Sequence, residues 1–183
     1  MNNSVRYNVE TFNKLPERAK ELIFEHKIID DDVFSEISCY IDEIESPIEK
    51  ILLTALAIYC KEKNINLYYD VQYEINVENK KYVADFYIRY DEWINRFRNK
   101  DFKLVIECDG HDYHHINKEQ VTHDYERENT LKTNGYDVIR FTGSQIYKEP
   151  IKCVEDIIKY IKTKNRKDKR WKTPQYYGIQ VTL

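Results

Sequence analysis

Two stretches in the middle of the chain place acids inside apolar, strand-forming runs, and this feature narrows the fold more than any other. In Val83-Ala84-Asp85-Phe86-Tyr87, Asp85 interrupts a segment in which Tyr82, Ala84, Phe86, Ile88 and Tyr90 alternate. In Leu104-Val105-Ile106-Glu107-Cys108-Asp109, two acids interrupt a short apolar run that stops at Gly110. Side chains two apart on a strand share a face, so Glu107 and Asp109 point one way and Cys108 the other. Central strands disfavour acids unless something compensates. Two carboxylates ~5 Å apart repel by about 3 kcal/mol at an effective dielectric of about 20. Such a cluster takes up protons or binds a cation. A hard divalent ion with oxygen ligands is the natural counter-charge, and Mg²⁺ sits on one or two carboxylates plus phosphate oxygens. For a single acid, a strand end near solvent or an Arg partner is the competing explanation. An Asp followed by Glu-x-Asp on consecutive strands favours the cation site.

The elements around these strands follow from periodicity and caps. Leu15, Ala19, Leu22, Ile23 and His26 share one helical spacing, and Val33, Ile37, Tyr40, Ile41 and Ile44 share another, with Asp30-Asp31-Asp32 between them as a cap. Ser46-Pro47-Ile48-Glu49 reads as the start of a third helix: Ser as N-cap, Pro in the first turn, Glu completing a capping box. The following ILLTALAIYC is apolar nearly all round, so that helix should be buried. Leu67, Tyr69, Val71, Tyr73, Ile75 and Val77 alternate as a strand ahead of the two already described. A helix from Lys118 to Thr133 closes on Asn134-Gly135, Tyr136 to Phe141 forms a fourth strand, and an amphipathic helix follows Pro150. The order is helix, three strands, helix, strand, helix. This is an α/β core, residues 46–164, with an N-terminal helical extension, 1–45, and a C-terminal tail, 165–183.

Composition limits the partners. The 183 residues are 42% hydrophobic and 33% charged, which suits a soluble globule rather than a disordered chain. No apolar run approaches the roughly 20 residues of a membrane span, and the N-terminus lacks the basic and apolar regions of a signal peptide. The expected location is cytoplasmic, with no membrane contact. A net charge of −3 gives little whole-molecule attraction to nucleic acid, so binding must use local patches. Residues 159–172 carry eight Lys/Arg and one acid; they read equally as such a patch or as a solvated helix end and tail. The loop 91–102 interleaves Trp93 and Phe97 with Arg96, Arg98 and Lys100, as stacking and phosphate contact require, or as an insert whose aromatics pack on the core. The four cysteines, Cys39, Cys60, Cys108 and Cys153, form no CxxC pair and read as small buried hydrophobes.

The segments SPIE, YVADFYI, LVIECDGHDYH and DYERENTLKTNGYDVIRF, in this order, resemble the PD-(D/E)XK (restriction-endonuclease-like) nuclease superfamily. The branch they resemble is that of very-short-patch-repair endonucleases, with an early-helix Glu, Asp-Phe on one strand, Glu-x-Asp-Gly with a nearby His on the next, and an Asp-x-x-Arg helix before Val-x-Arg-Phe. The resemblance runs from Ser46 to about Ile161. It implies a Mg²⁺-dependent endonuclease, with Mn²⁺ as a substitute, that hydrolyses phosphodiester bonds in nucleic acid, most naturally DNA. The competing function is a catalytically silent nuclease-fold subunit that binds nucleic acid or protein in a mobile-element or defence system; a protein partner or a homodimer is compatible with either.

Roles follow position by position. The resemblance implies that Asp85 and Glu107 bind the metal, with the Cys108 backbone carbonyl as a further ligand. Glu49 matches the helix Glu that reaches this site, and the capping box is its competing role. Asp109 stands where the superfamily usually has Lys, so the expected role is metal or metal-water ligand. His114 matches the family His and would move protons near neutral pH; His111, His114 and His115 also read as a His-rich surface loop. Asp124 and Arg127, three apart on one helix face, read chiefly as an ion pair, with Arg127 a secondary candidate for phosphate contact. Gln72, His111, Arg96, Arg98 and Arg127 are the candidate nucleic-acid contacts. The structural zinc site of very-short-patch enzymes has no counterpart among these cysteines, so mismatch specificity is not carried over.

Overall fold

A computed structural model describes residues 9–28, 31–89, 102–110 and 118–166. The Trp93–Lys100 loop, His111, His114 and His115, and the tail beyond residue 166 lie outside them. Helices α1 (Glu17–Glu25), α2 (Asp31–Tyr40) and α3 (Pro47–Glu62) lead into strands β1 (Tyr69–Val77), β2 (Lys80–Arg89) and β3 (Lys103–Asp109). Helix α4 (Lys118–Thr133), strand β4 (Asp137–Thr142) and helices α5 (Gly143–Lys148) and α6 (Pro150–Arg166) complete the order. The four strands form one mixed sheet in the order β1-β2-β3-β4. The first two pairs are antiparallel, and β3 and β4 are parallel, joined through α4.

Local chemistry explains most of these boundaries. Strands β1 and β2 meet at Val77↔Lys80, so Glu78-Asn79 is a two-residue loop, and both residues have positive φ (51° and 63°). This is the primed-turn geometry whose twist matches that of the flanking strands. Helix α4 ends as expected at Gly135 (φ 82°), where Gly135 N–H donates to the Lys132 carbonyl and Tyr136 N–H to that of Leu131. That pair of bonds satisfies the last carbonyls, and Leu131 and Tyr136 join the same apolar cluster.

The helical boundaries differ in three places. Helix α2 stops at Tyr40, and Ile41 and Ile44 are buried beyond its end rather than in it. The capping box read at Ser46 is not formed: the Ser46 side chain makes no cap hydrogen bond. A capping box does form at Thr142/Gln145, which starts α5, a short helix whose T-x-x-Q signal went unread.

Two apolar layers flank the sheet. One joins α1, α2, α3, α5 and α6 to Tyr69, Val71, Phe86, Ile88, Leu104 and Ile106. Helix α3 is its centre: every residue from Ile51 to Ile58 is buried, as the all-round apolar run predicted. The one hydroxyl among them, Thr54, donates to the Lys50 carbonyl at 2.8 Å. Helix α6 contributes Val154, Ile157 and Ile158 at one-face spacing. The second layer holds Leu131 of α4 with Ile75, Val77, Tyr82, Ala84, Tyr87 and Val105.

The hairpin changes faces partway along. Val71 lies in the α3 layer, yet Tyr73, two residues on, packs in the α4 layer and stacks on Tyr87 with ring centroids 4.3 Å apart. On β2, Phe86 and Ala84 are divided in the same way. Strand pairing keeps one register throughout but skips the position where Gln72 faces Asp85. Gln72 has φ 48°, the one left-handed residue within a strand among the described residues. That conformation costs a residue with a Cβ about 1–2 kcal/mol, and it turns the alternation over.

Candidate active site

The acids converge where β2 parts from β3. Pairing between these strands ends at Phe86↔Ile106, whereas β3 stays paired with β4 as far as Asp109↔Thr142. Beyond that point the amide of Cys108 donates not to β2 backbone but to Asp85, whose Oδ2 accepts at 2.6 Å. Asp85 is half-buried, and the carboxyl of the strand that left thus satisfies the strand that stayed.

Glu107 is 5% exposed, and its Oε1 accepts from the guanidinium of Arg127 at 2.8 Å. The same nitrogen donates to the Val83 carbonyl, and the guanidinium lies 5.9 Å from the Tyr82 ring. Arg127 therefore joins α4 to β2 and β3; its carboxylate partner is Glu107 rather than the Asp124 read from helical spacing. Asp109 pairs with Arg140 at 3.2 Å. As the two-residue period requires, Glu107 and Asp109 meet cations while Cys108 packs against the α3 layer. Arg140 was the residue missed. Its signal was available: it breaks the apolar β4 run as the acids break β2 and β3, and it sits in register with Glu107.

Glu49 enters from the other layer. It is 8% exposed in the first turn of α3, and its Oε2 accepts from Gln72 Nε2 at 2.6 Å. Gln72, expected at a nucleic-acid surface, is half-buried with its amide on this carboxylate.

Electrostatics tie the acids together. Burial, and secondarily the charge of Asp85, pushes the Glu49 carboxyl up to about 7. Glu107 is also pushed up to about 7, first by burial; Arg127 pulls it down and Asp85 pushes it up. Asp85 is raised by burial, against the opposing pull of the Cys108 amide and Arg127. Burial, with the charge of Asp85 acting on both Glu49 and Glu107, makes this cluster a functional-site candidate.

The donor set suits a hard cation. Among the described residues no three acid, His or Cys side chains form a ready ligand set, because Asp85 and Glu107 are turned to the Cys108 amide and Arg127. An ion that takes one or two carboxylates, with phosphate oxygens and waters for the rest, needs no such set. An open pocket of about 350 Å³ lies against the C-terminal half of α3, beside Cys60 and Lys61, and contains none of these acids. Of the other cysteines, Cys153 is buried, whereas Cys39 is exposed, contrary to its reading as a core residue. No helix among the described residues is long and apolar enough to cross a membrane.

A four-stranded mixed sheet flanked by helices, with acids on β2 and β3, defines a restriction-endonuclease-like α/β core. The restriction-endonuclease-like family model REase_MTES_1575 matches residues 55–161, more than half of the chain, and the chain belongs to that family. Asp85, Glu107, Asp109, Arg127 and Arg140 fall inside the matched span; Glu49 lies before it. Neither the curated proteins nor the solved structures include a match.

Proposed function

We propose that this protein is a metal-dependent endonuclease that hydrolyses phosphodiester bonds in DNA, with Asp85 and Glu107 as its metal-holding pair. One observation carries the reading: Glu49 from a helix and Asp85 and Glu107 from two strands, the two glutamates nearly excluded from solvent, come together where β2 leaves β3, and the charge of Asp85 raises the proton affinity of both glutamates. Membership of a restriction-endonuclease-like family supports it.

When bound, Mg²⁺ or Mn²⁺ would supply an activated water and neutralise charge on the attacked phosphate. Asp85 and Glu107 would hold the ion, with the Cys108 carbonyl, Glu49 and Asp109 as further ligands directly or through water. Arg127, which holds Glu107 in the free protein, would supply its guanidinium to a phosphate oxygen. His114 keeps its proposed role in proton transfer, and His111, Arg96 and Arg98 theirs in nucleic-acid contact. The motif order supports the very-short-patch-like branch and a nuclease unit at residues 46–164.

One observation favours a second reading, a silent nuclease-fold subunit that binds without cutting. The strand position where the superfamily has Lys carries Asp109, held by Arg140. A single experiment separates the two. Plasmid, linear and single-stranded DNA are incubated with the chain with and without Mg²⁺ or Mn²⁺, and Mn²⁺ binding is followed by calorimetry in wild type and Asp85→Ala. We expect metal-dependent cleavage and binding in wild type, both lost in the variant. DNA retention without cleavage or metal uptake supports the silent subunit, and equal Mn²⁺ binding by Asp85→Ala removes Asp85 from the site.

A further inference from the structure

We propose that Gln72 is a positioning residue: its side chain holds the Glu49 carboxylate toward Asp85, and its left-handed backbone is what lets it reach. This rests on the metal-site reading above and adds how the third acid is aimed.

The geometry makes the argument. Val71 faces the α3 layer. In a regular strand the next side chain points to the opposite face, away from α3 and therefore away from Glu49. With φ 48° the strand turns over at Gln72, Tyr73 moves into the α4 layer, and the Gln72 amide lies 2.6 Å from Glu49 on the α3 side. The same inversion falls at the skipped pairing with Asp85, so one backbone irregularity serves both acids. Backbone strain kept by a residue other than Gly, inside a strand and at a cluster of acids, is the kind that persists when a site needs it.

The chemistry of the side chain also fits. A Lys or Arg at this position would compete with a bound cation for the Glu49 charge. An amide donates a hydrogen bond without cancelling the charge, so Glu49 is fixed in place and keeps its attraction for a cation. Partners that orient metal-binding groups in this way tune metal affinity or activity, and for a neutral amide on Glu49 the expected effect is on affinity.

The test uses the full chain. Gln72→Gly removes the amide and keeps a backbone that favours positive φ, and Gln72→Asn keeps an amide and tolerates positive φ but is one methylene shorter. Unfolding without metal, Mn²⁺ binding by calorimetry, and the Mn²⁺ dependence of DNA cleavage are measured for wild type, both variants, Glu49→Gln and the Gln72→Gly/Glu49→Gln pair. We expect Gln72→Gly to melt no lower than wild type without metal and to bind Mn²⁺ roughly 10–100-fold more weakly. Half-maximal cleavage should need correspondingly more Mn²⁺, with the rate at saturating Mn²⁺ retained. In the Glu49→Gln background the Gly substitution should cost nothing further, because Gln72 acts through Glu49. Wild-type Mn²⁺ affinity in Gln72→Gly, or losses from the two single variants that simply add, overturns the proposal. If the Gly variant melts low, the Asn variant is judged on the same measurements. A wild-type chain that takes up no Mn²⁺ overturns the metal site itself, an outcome separate from failure of the Gln72 role.

Discussion

Glu107→Gln is expected to remove metal-dependent cleavage by at least roughly a thousandfold, equivalent to about 4 kcal/mol of transition-state stabilisation, and to leave the fold standing. The amide has the size of the carboxyl it replaces, and its oxygen still accepts from Arg127, so the link between α4 and β3 is kept. What disappears is the charge. The Glu107 site is 5% exposed, so little water is available to stand in for it. Rate, Mn²⁺ binding and melting temperature are measured on the same preparation. Cleavage at the wild-type rate sinks the assignment of Glu107, and a variant that does not fold makes Glu107 structural instead.

Without metal, the protein should lose several kcal/mol of stability between pH 5 and pH 8. Glu49 and Glu107 have folded pKa values of about 7 against an ordinary value of 4.5. Below 4.5 both are protonated whether the chain is folded or not, and they contribute no difference. Between 4.5 and 7 the unfolded chain releases protons that the folded chain retains, so stability falls as pH rises. Above 7 the loss is complete and amounts to up to about 3 kcal/mol for each carboxyl. A divalent ion at the proposed site should reverse it by binding the ionised folded form, which would add about 2.7 kcal/mol at a hundredfold excess over Kd. Urea unfolding at pH 5 and pH 8, with and without Mg²⁺, checks both signs. Glu49→Gln should flatten part of the slope. Equal or greater metal-free stability at pH 8 would contradict the burial of these acids.

The strands, their acids and helix α4 were legible because their signals are local. Acids inside apolar runs mark β2 and β3 directly, and Asn134-Gly135 gives the end of α4 because left-handed backbone there favours glycine. What the sequence concealed depends on tertiary placement. Arg127 was read with Asp124 because helical spacing shows neighbours on one helix, and only docking of α4 on the sheet brings Glu107 closer. Gln72 gave no warning. Its strand alternates without a break on paper, and the change of face comes from one dihedral angle of an ordinary residue. The Ser46 capping box was misread because the Glu49 carboxyl engages the side chains of Ser46 and Gln72, and Ser46 makes no cap hydrogen bond to the helix backbone. The histidines and the aromatic loop fall outside the described residues, so their roles rest on sequence.

The parting of β2 from β3 also bears on the order of events in folding. The β1–β2 hairpin closes through a two-residue turn, and β3 and β4 pair across a single helix, so each half forms from contacts near in sequence. The acids belong to neither half alone: Glu49 comes from α3, Asp85 from the hairpin, Glu107 from the crossover unit. Their meeting place exists only after the halves have docked, and we propose that this docking follows the folding transition state. Interactions absent from the folding transition state leave the folding rate nearly unchanged and act on escape from the native state. A cation held at this seam would therefore act as a latch, lengthening the lifetime of the folded chain without hastening its formation.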